Sequence, residues 1–97
     1  METYIILANY TKQGIEDIKN SPGRIDEARK AVEAAGGKWL NWYLTMGRYD
    51  LVVIAEAPSA AAVATLMLAT GSLGNVTTET LRAFSEDEFK GIVANLP

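Results

Sequence analysis

Apolar positions recur along this chain with two different spacings, and the switches between them set out an order of elements. Residues 4–10 are rich in β-branched and aromatic side chains, with Ile5, Ile6 and Leu7 in succession, and predict a first strand buried on both faces. Thr11-Lys12-Gln13-Gly14 breaks that run, and residues 15–19 follow as a short helical turn. Ser21-Pro22 then reads as a helix start, with serine as the N-cap and proline at the first helical position. Ile25, Ala28, Val32 and Ala35 recur at helical spacing as one apolar stripe, and Arg24, Glu27, Arg29, Lys30 and Glu33 fall mostly outside it. Gly36-Gly37 ends the helix.

A second strand is predicted over residues 38–45 and a third over 50–57, joined by the turn Met46-Gly47-Arg48-Tyr49. So short a joint admits no crossover, so the pair forms an antiparallel hairpin. Pro58-Ser59 opens a second helix, running to about residue 69, that is apolar nearly all round. A helix of that kind buries more than one side, and in so short a chain one of those sides is expected to meet another chain. The loop Gly71-Ser72-Leu73-Gly74-Asn75 leads to a fourth strand over residues 76–84, whose threonines suit a pleated surface. Ser85 and Glu88 stand at capping-box spacing, and Phe89, Ile92, Val93 and Leu96 give a short amphipathic C-terminal helix.

The order β-α-β-β-α-β with a tail helix is the ferredoxin-like split βαβ signature, an α+β fold. Right-handed crossovers put both main helices on one face of a four-stranded antiparallel sheet. With a two-residue turn at Gly47-Arg48, Tyr43 lies opposite Val52 and Thr45 opposite Asp50. The helix side then takes Trp42, Leu44, Met46, Tyr49, Leu51, Val53 and Ala55, and the other side takes Asn41, Tyr43, Thr45, Asp50, Val52, Ile54 and Glu56. Val52 and Ile54 beside Tyr43 make an apolar patch that a monomer would expose, so a second copy packed sheet to sheet is expected to cover it.

Composition narrows the chemistry. The 97 residues are read as one domain over 1–97. They include no cysteine and no histidine, which excludes disulfides, thiolate sites, histidine general bases and histidine haem ligation. Net charge is −3 with no basic run, so nucleic acid is not an expected partner. The start carries no charged-then-apolar leader and no apolar run reaches membrane length, so no membrane partner is expected and the expected setting is cytoplasmic. No cofactor and no metal are expected.

At Gly47-Arg48-Tyr49-Asp50 the sequence resembles the GYD-domain family, and the resemblance covers almost the whole chain. It includes Thr11-Lys12-Gln13-Gly14-Ile15, Ile18-Lys19-Asn20-Ser21-Pro22, the run from Tyr43 to Asp50, Glu56-Ala57-Pro58, Gly71-Ser72-Leu73-Gly74-Asn75 and the run from Thr78 to Phe84. The resemblance implies a dimeric α+β barrel of two ferredoxin-like subunits joined through their sheets, and no defined activity. Thr77 departs from it, standing where a basic residue is expected, as does the alanine-rich run after Ser59 where acidic residues are expected.

The candidate ligand-binding residues are Tyr43, Thr45, Asp50, Thr78, Thr80 and Arg82. Asp50 is either a pocket carboxylate or a turn residue accepting backbone N–H bonds, with Tyr49 packed under a helix. Arg82 either forks onto a ligand carboxylate or bridges Glu79, Glu56 or Asp50. Tyr43 is a donor or general acid in the functional reading. Lys19 is a solvated lysine or lies at a pocket mouth, Trp39 and Trp42 are core anchors or interface anchors, and Gly71–Asn75 is a plain loop or an anion nest. Three functions stay open: a homo-oligomeric protein binding a small molecule between sheet and partner, a cofactor-free enzyme of the monooxygenase, isomerase or cyclase kind, and a structural assembly module.

Overall fold

The computed structural model describes residues Met1–Pro97. Four strands run β1 (Glu2–Tyr10), β2 (Lys38–Leu44), β3 (Leu51–Ala57) and β4 (Val76–Ala83), and four helices run α1 (Lys12–Glu16), α2 (Ser21–Ala34), α3 (Ala60–Ser72) and α4 (Glu86–Ala94). The sheet order is β2-β3-β1-β4 with every neighbouring pair antiparallel, which is the ferredoxin-like arrangement. Tyr43 pairs with Val52, and the Thr45 amide donates to the Asp50 carbonyl at 2.8 Å, so the hairpin register is the one its turn implies. Gly47 at the loop tip has a φ of +122°, a conformation open to glycine.

The core lies between the helices and one sheet face. Tyr4, Ile6 and Ala8 of β1 and Leu51, Ala55 and Ala57 of β3 are buried there, with Val32 of α2 and Val63 of α3 closing over them. Ile5 and Leu7 point the other way and are half-buried, so β1 is buried on one face of the single chain and not on both. The triple Ile5-Ile6-Leu7 hides this alternation, because both phases of the strand are apolar.

Four local expectations are corrected. Ser21 is not an N-cap: its φ and ψ are already helical, Asn20 precedes it as cap residue without a side-chain capping bond, and the Ser21 hydroxyl lies 2.7 Å from the Tyr10 hydroxyl. A 3-10 turn at Ile18–Asn20 runs straight into α2, which leaves no extended residue to cap it. The first helix starts earlier than expected, because Thr11 accepts from the Gly14 amide and caps it. Ala35, the last residue of the predicted stripe, lies beyond α2 and is exposed. Finally, Met46 and Tyr49 do not join the helix side: Met46 is exposed, and Tyr49 bonds Glu79 of β4. The strand ladder stops at the Thr45–Asp50 pair, so the in-out alternation does not extend into the loop.

The helical layer is thin. α3, capped by the Ser59 side chain on the Ala62 amide, buries only Val63, and Leu68 on its outer side is 75% exposed. Between α2 and α3 an open cleft of about 830 Å³ reaches the sheet. α4 extends beyond the sheet with Phe89, Ile92, Val93 and Leu96 exposed.

Candidate functional site

The sheet face without helices is assembled by strand alternation. Opposite the buried set, the pairings place Tyr43 and Asn41 of β2, Val52, Ile54 and Glu56 of β3, Thr3, Ile5 and Leu7 of β1, and Glu79, Leu81 and Ala83 of β4 on this side. Its centre is therefore aliphatic: Ile5 faces Ile54 on one side and Leu81 on the other, and Leu7 faces Val52. Tyr43 is 52% and Leu81 42% exposed at its two edges. Polar groups stand around that strip. The Asn41 amide donates to the Tyr43 hydroxyl at 2.7 Å, and the Tyr49 hydroxyl donates to a Glu79 carboxylate oxygen. That bond, which favours the protonated phenol, and the partial burial of the ring hold Tyr49 above the usual tyrosine range.

The six candidate residues do not converge on one pocket within the chain. Tyr43 belongs to the open face on β2, at one edge of the sheet. Thr45 and Asp50 are spent on the hairpin: the Thr45 hydroxyl donates to the Tyr49 carbonyl at 2.6 Å, and Asp50 accepts from the Tyr10 amide at 2.9 Å while its own amide donates to the Ala8 carbonyl. Asp50 thus extends the β1–β3 pairing past the end of the strand. Thr78, Thr80 and Arg82 pair with Ala8, Ile6 and Tyr4, which puts them on the helix side at the opposite edge. Thr78 borders the α2–α3 cleft. Arg82 meets none of Glu79, Glu56 or Asp50. Its guanidinium bonds the Ala83 carbonyl, lies 3.4 Å from Glu88 of α4, and stacks 4.3 Å from the Phe84 ring centroid. It is the joint between β4 and the tail helix.

Sequence reasoning missed two pairings. Tyr49 with Glu79 joins residues far apart in the chain and leaves no local signal. Tyr10 with Ser21 was hidden because Ser21-Pro22 fits a capping pattern equally well. Trp39 and Trp42 sit half-buried on the helix side, with the Arg29 guanidinium 5.4 Å from the Trp39 ring. Lys19 is exposed.

α3 runs on through Gly71 and Ser72, past its expected end near residue 69, and residues 73–75 form a clamp. The Thr11 hydroxyl donates to the Gly74 carbonyl at 2.6 Å, the Thr11 amide to the Asn75 carbonyl at 3.0 Å, and the Gln13 amide to the Leu73 carbonyl at 2.9 Å. These carbonyl acceptors turn inward to α1, which gives the loop a fixing role. Gly14 permits the contact, since a Cβ there would stand 2.0 Å from the Asn75 oxygen.

The family model described as the GYD domain matches residues 4–93. A relative from Thermus thermophilus, named glutamine synthetase and cystathionine beta-lyase binding protein, is 39% identical over 84 residues, covering 86% of this chain and 88% of the relative. No solved structure matches the chain. The chain belongs to the GYD-domain family.

Proposed function

We propose that this GYD-domain chain is a protein-docking module that pairs with a second copy through its open sheet face and, as that pair, binds partner enzymes. The aliphatic strip Ile5, Leu7, Val52, Ile54 and Leu81 carries the reading, because it is the one sheet surface that no helix of the chain covers. Sheets stack about 10 Å apart when their inner faces are apolar, and this strip presents such a face. The chain exposes 6480 Å², while a compact monomer of its mass exposes about 5,400 Å², and the bare strip is one of three features behind that surplus, beside the α2–α3 cleft and the projecting α4.

The enzyme partners come from the Thermus relative, whose name says that it binds glutamine synthetase and cystathionine beta-lyase. Enzymes of those two kinds are the first partners to try. A catalytic reading has less behind it, since Tyr43 lies on the other face and edge from Arg82, Asp50 is spent on the end of β1, and each already has a bond within the chain. A small molecule held in the dimer seam would touch Tyr43 and not Thr78 or Thr80, which lie on the helix side.

Two measurements test the proposal. Sedimentation equilibrium at micromolar concentration is expected to give twice the chain mass. Biolayer interferometry against purified glutamine synthetase and cystathionine beta-lyase is expected to show saturable binding to at least one. A monomer throughout the concentration range rejects the pairing, and no binding to either enzyme rejects the docking role.

A further inference from the structure

The cleft between α2 and α3 lies on the face away from the docking strip and is independent of the docking role. Its floor is Ile6, Ala8, Leu51 and Val53, and its volume of about 830 Å³ falls within the ~300–1,000 Å³ of small-molecule sites. The walls explain why it stays open. Ala28 and Ala31 line it from α2 and Ala69 from α3, and beside the larger Ile25, Leu66 and Met67 these small side chains leave the slot between the helices unfilled. Water in such a slot finds few partners and an apolar guest gains from displacing it.

Among the polar side chains of the lining, Ser21 is the buried one. The Tyr10 and Ser21 hydroxyls are 2.7 Å apart, and Ser21 is only 6% exposed. Their mutual bond uses one of the two hydroxyl hydrogens, and the other has no acceptor within the chain. The indole nitrogen of Trp39, another lining residue, is buried and equally without an acceptor. The charged groups at the cleft are already engaged: Arg24 pairs with Asp17 at 2.8 Å, and Glu27 with Lys30 at 3.4 Å. A charged head group would lose its hydration there and find no free counter-ion.

We propose that the α2–α3 cleft binds an uncharged, largely apolar small molecule carrying a hydroxyl or carbonyl oxygen, which accepts the spare hydrogen of the Tyr10–Ser21 pair. Decan-1-ol and decanoate serve as matched probes, titrated into the intact protein and followed by tryptophan fluorescence and isothermal calorimetry. Decan-1-ol is expected to saturate at one site per chain, and decanoate to bind at least tenfold more weakly. Tyr10→Phe combined with Ser21→Ala removes both hydroxyls and so every hydrogen the pair can donate, and is expected to weaken decan-1-ol about tenfold, the effect of one ordinary hydrogen bond. Ala31→Phe, or Ala69→Phe from the opposite wall should the first not fold, fills the slot and is expected to abolish binding while circular dichroism stays native. No saturable binding of decan-1-ol by the unaltered protein overturns the site. Unchanged binding in a folded Ala31→Phe or Ala69→Phe variant overturns it too. Loss of binding in Ile54→Lys alone moves the probe to the sheet face and overturns it likewise. Equal affinity for decanoate overturns the uncharged class.

Discussion

Tyr49 and Gly14 show how much of this protein hangs on single atoms outside its regular elements. The Tyr49 phenol donates to Glu79, and a carboxylate acceptor favours the protonated donor, so its pKa rises above 10.0. The sign follows directly: the contact stabilises the fold fully below the ordinary tyrosine pKa and is lost as pH rises through the higher folded value. Spectrophotometric titration is expected to show two tyrosines, Tyr4 and Tyr49, ionising above 10.0, and one of the two late components to disappear in Tyr49→Phe. A late component unchanged in Tyr49→Phe would sink the contact. Gly14→Ala drives a methyl group into the Asn75 carbonyl, so loop and helix must part. A loss of about 1–3 kcal/mol is expected, the usual scale of an overpacked contact, read as a lower urea midpoint with unchanged slope. Neither effect is legible in the sequence. Tyr49 sits in a loop, where alternation assigns no face, and the partner of Gly14 is supplied by a distant segment, the loop before β4. Asp50 is the instructive middle case: a turn aspartate accepting a backbone amide is readable, but the amide belongs to Tyr10 of the neighbouring strand and not to the turn itself.

At the scale of elements the hairpin was the most legible part. Two runs of strand-forming residues and a glycine turn leave one register that keeps Val53 and Leu51 inside, and that register is found. β1 was less legible, since Ile5, Ile6 and Leu7 give no phase. Helix α4 is the clearest local signal of all. Ser85 accepts from the Glu88 amide at 3.1 Å, and Glu88 returns to the Ser85 amide at 3.0 Å. The bond from the Ser85 amide holds the Glu88 carboxyl below its usual 4.5, aided by the Ser85 hydroxyl and Arg82. The cap therefore contributes at every pH above the ordinary glutamate value and is lost as pH falls through the lower folded one. Since α4 leans on little beyond the Arg82 joint, Ser85→Ala is expected to fray α4 locally and leave the sheet intact. Amide exchange resolves the two: protection should fall across Phe89–Ala94 and persist across β1 and β3. A uniform fall along the chain would mean that α4 is part of the cooperative core.

At the scale of the molecule, the single chain is larger than its length warrants. Its radius of gyration is 14.7 Å, against about 12.5 Å for a compact domain of this length. Three features make up the difference: the bare sheet strip, the α2–α3 cleft and the projecting α4. The strip is the one with a geometry suited to a twin, because a two-fold axis running parallel to the sheet, just outside this face, brings the Ile5, Ile54 and Leu81 row of each copy against the same row of the other. Ile54 stands in the two inner strands' shared row, so a lysine there would sit at the centre of the seam, where a buried unpaired ammonium costs several kcal/mol per copy. The same lysine in an isolated subunit reaches water from a half-exposed position and costs little. Ile54→Lys is therefore expected to halve the sedimenting mass while the circular dichroism spectrum keeps its native form. Leu68→Lys, on the outer side of α3, is expected to keep the mass of the unaltered protein. If Ile54→Lys stays at twice the chain mass, the copies meet elsewhere, and the exposed α3 side and the α4 arm become the surfaces to probe.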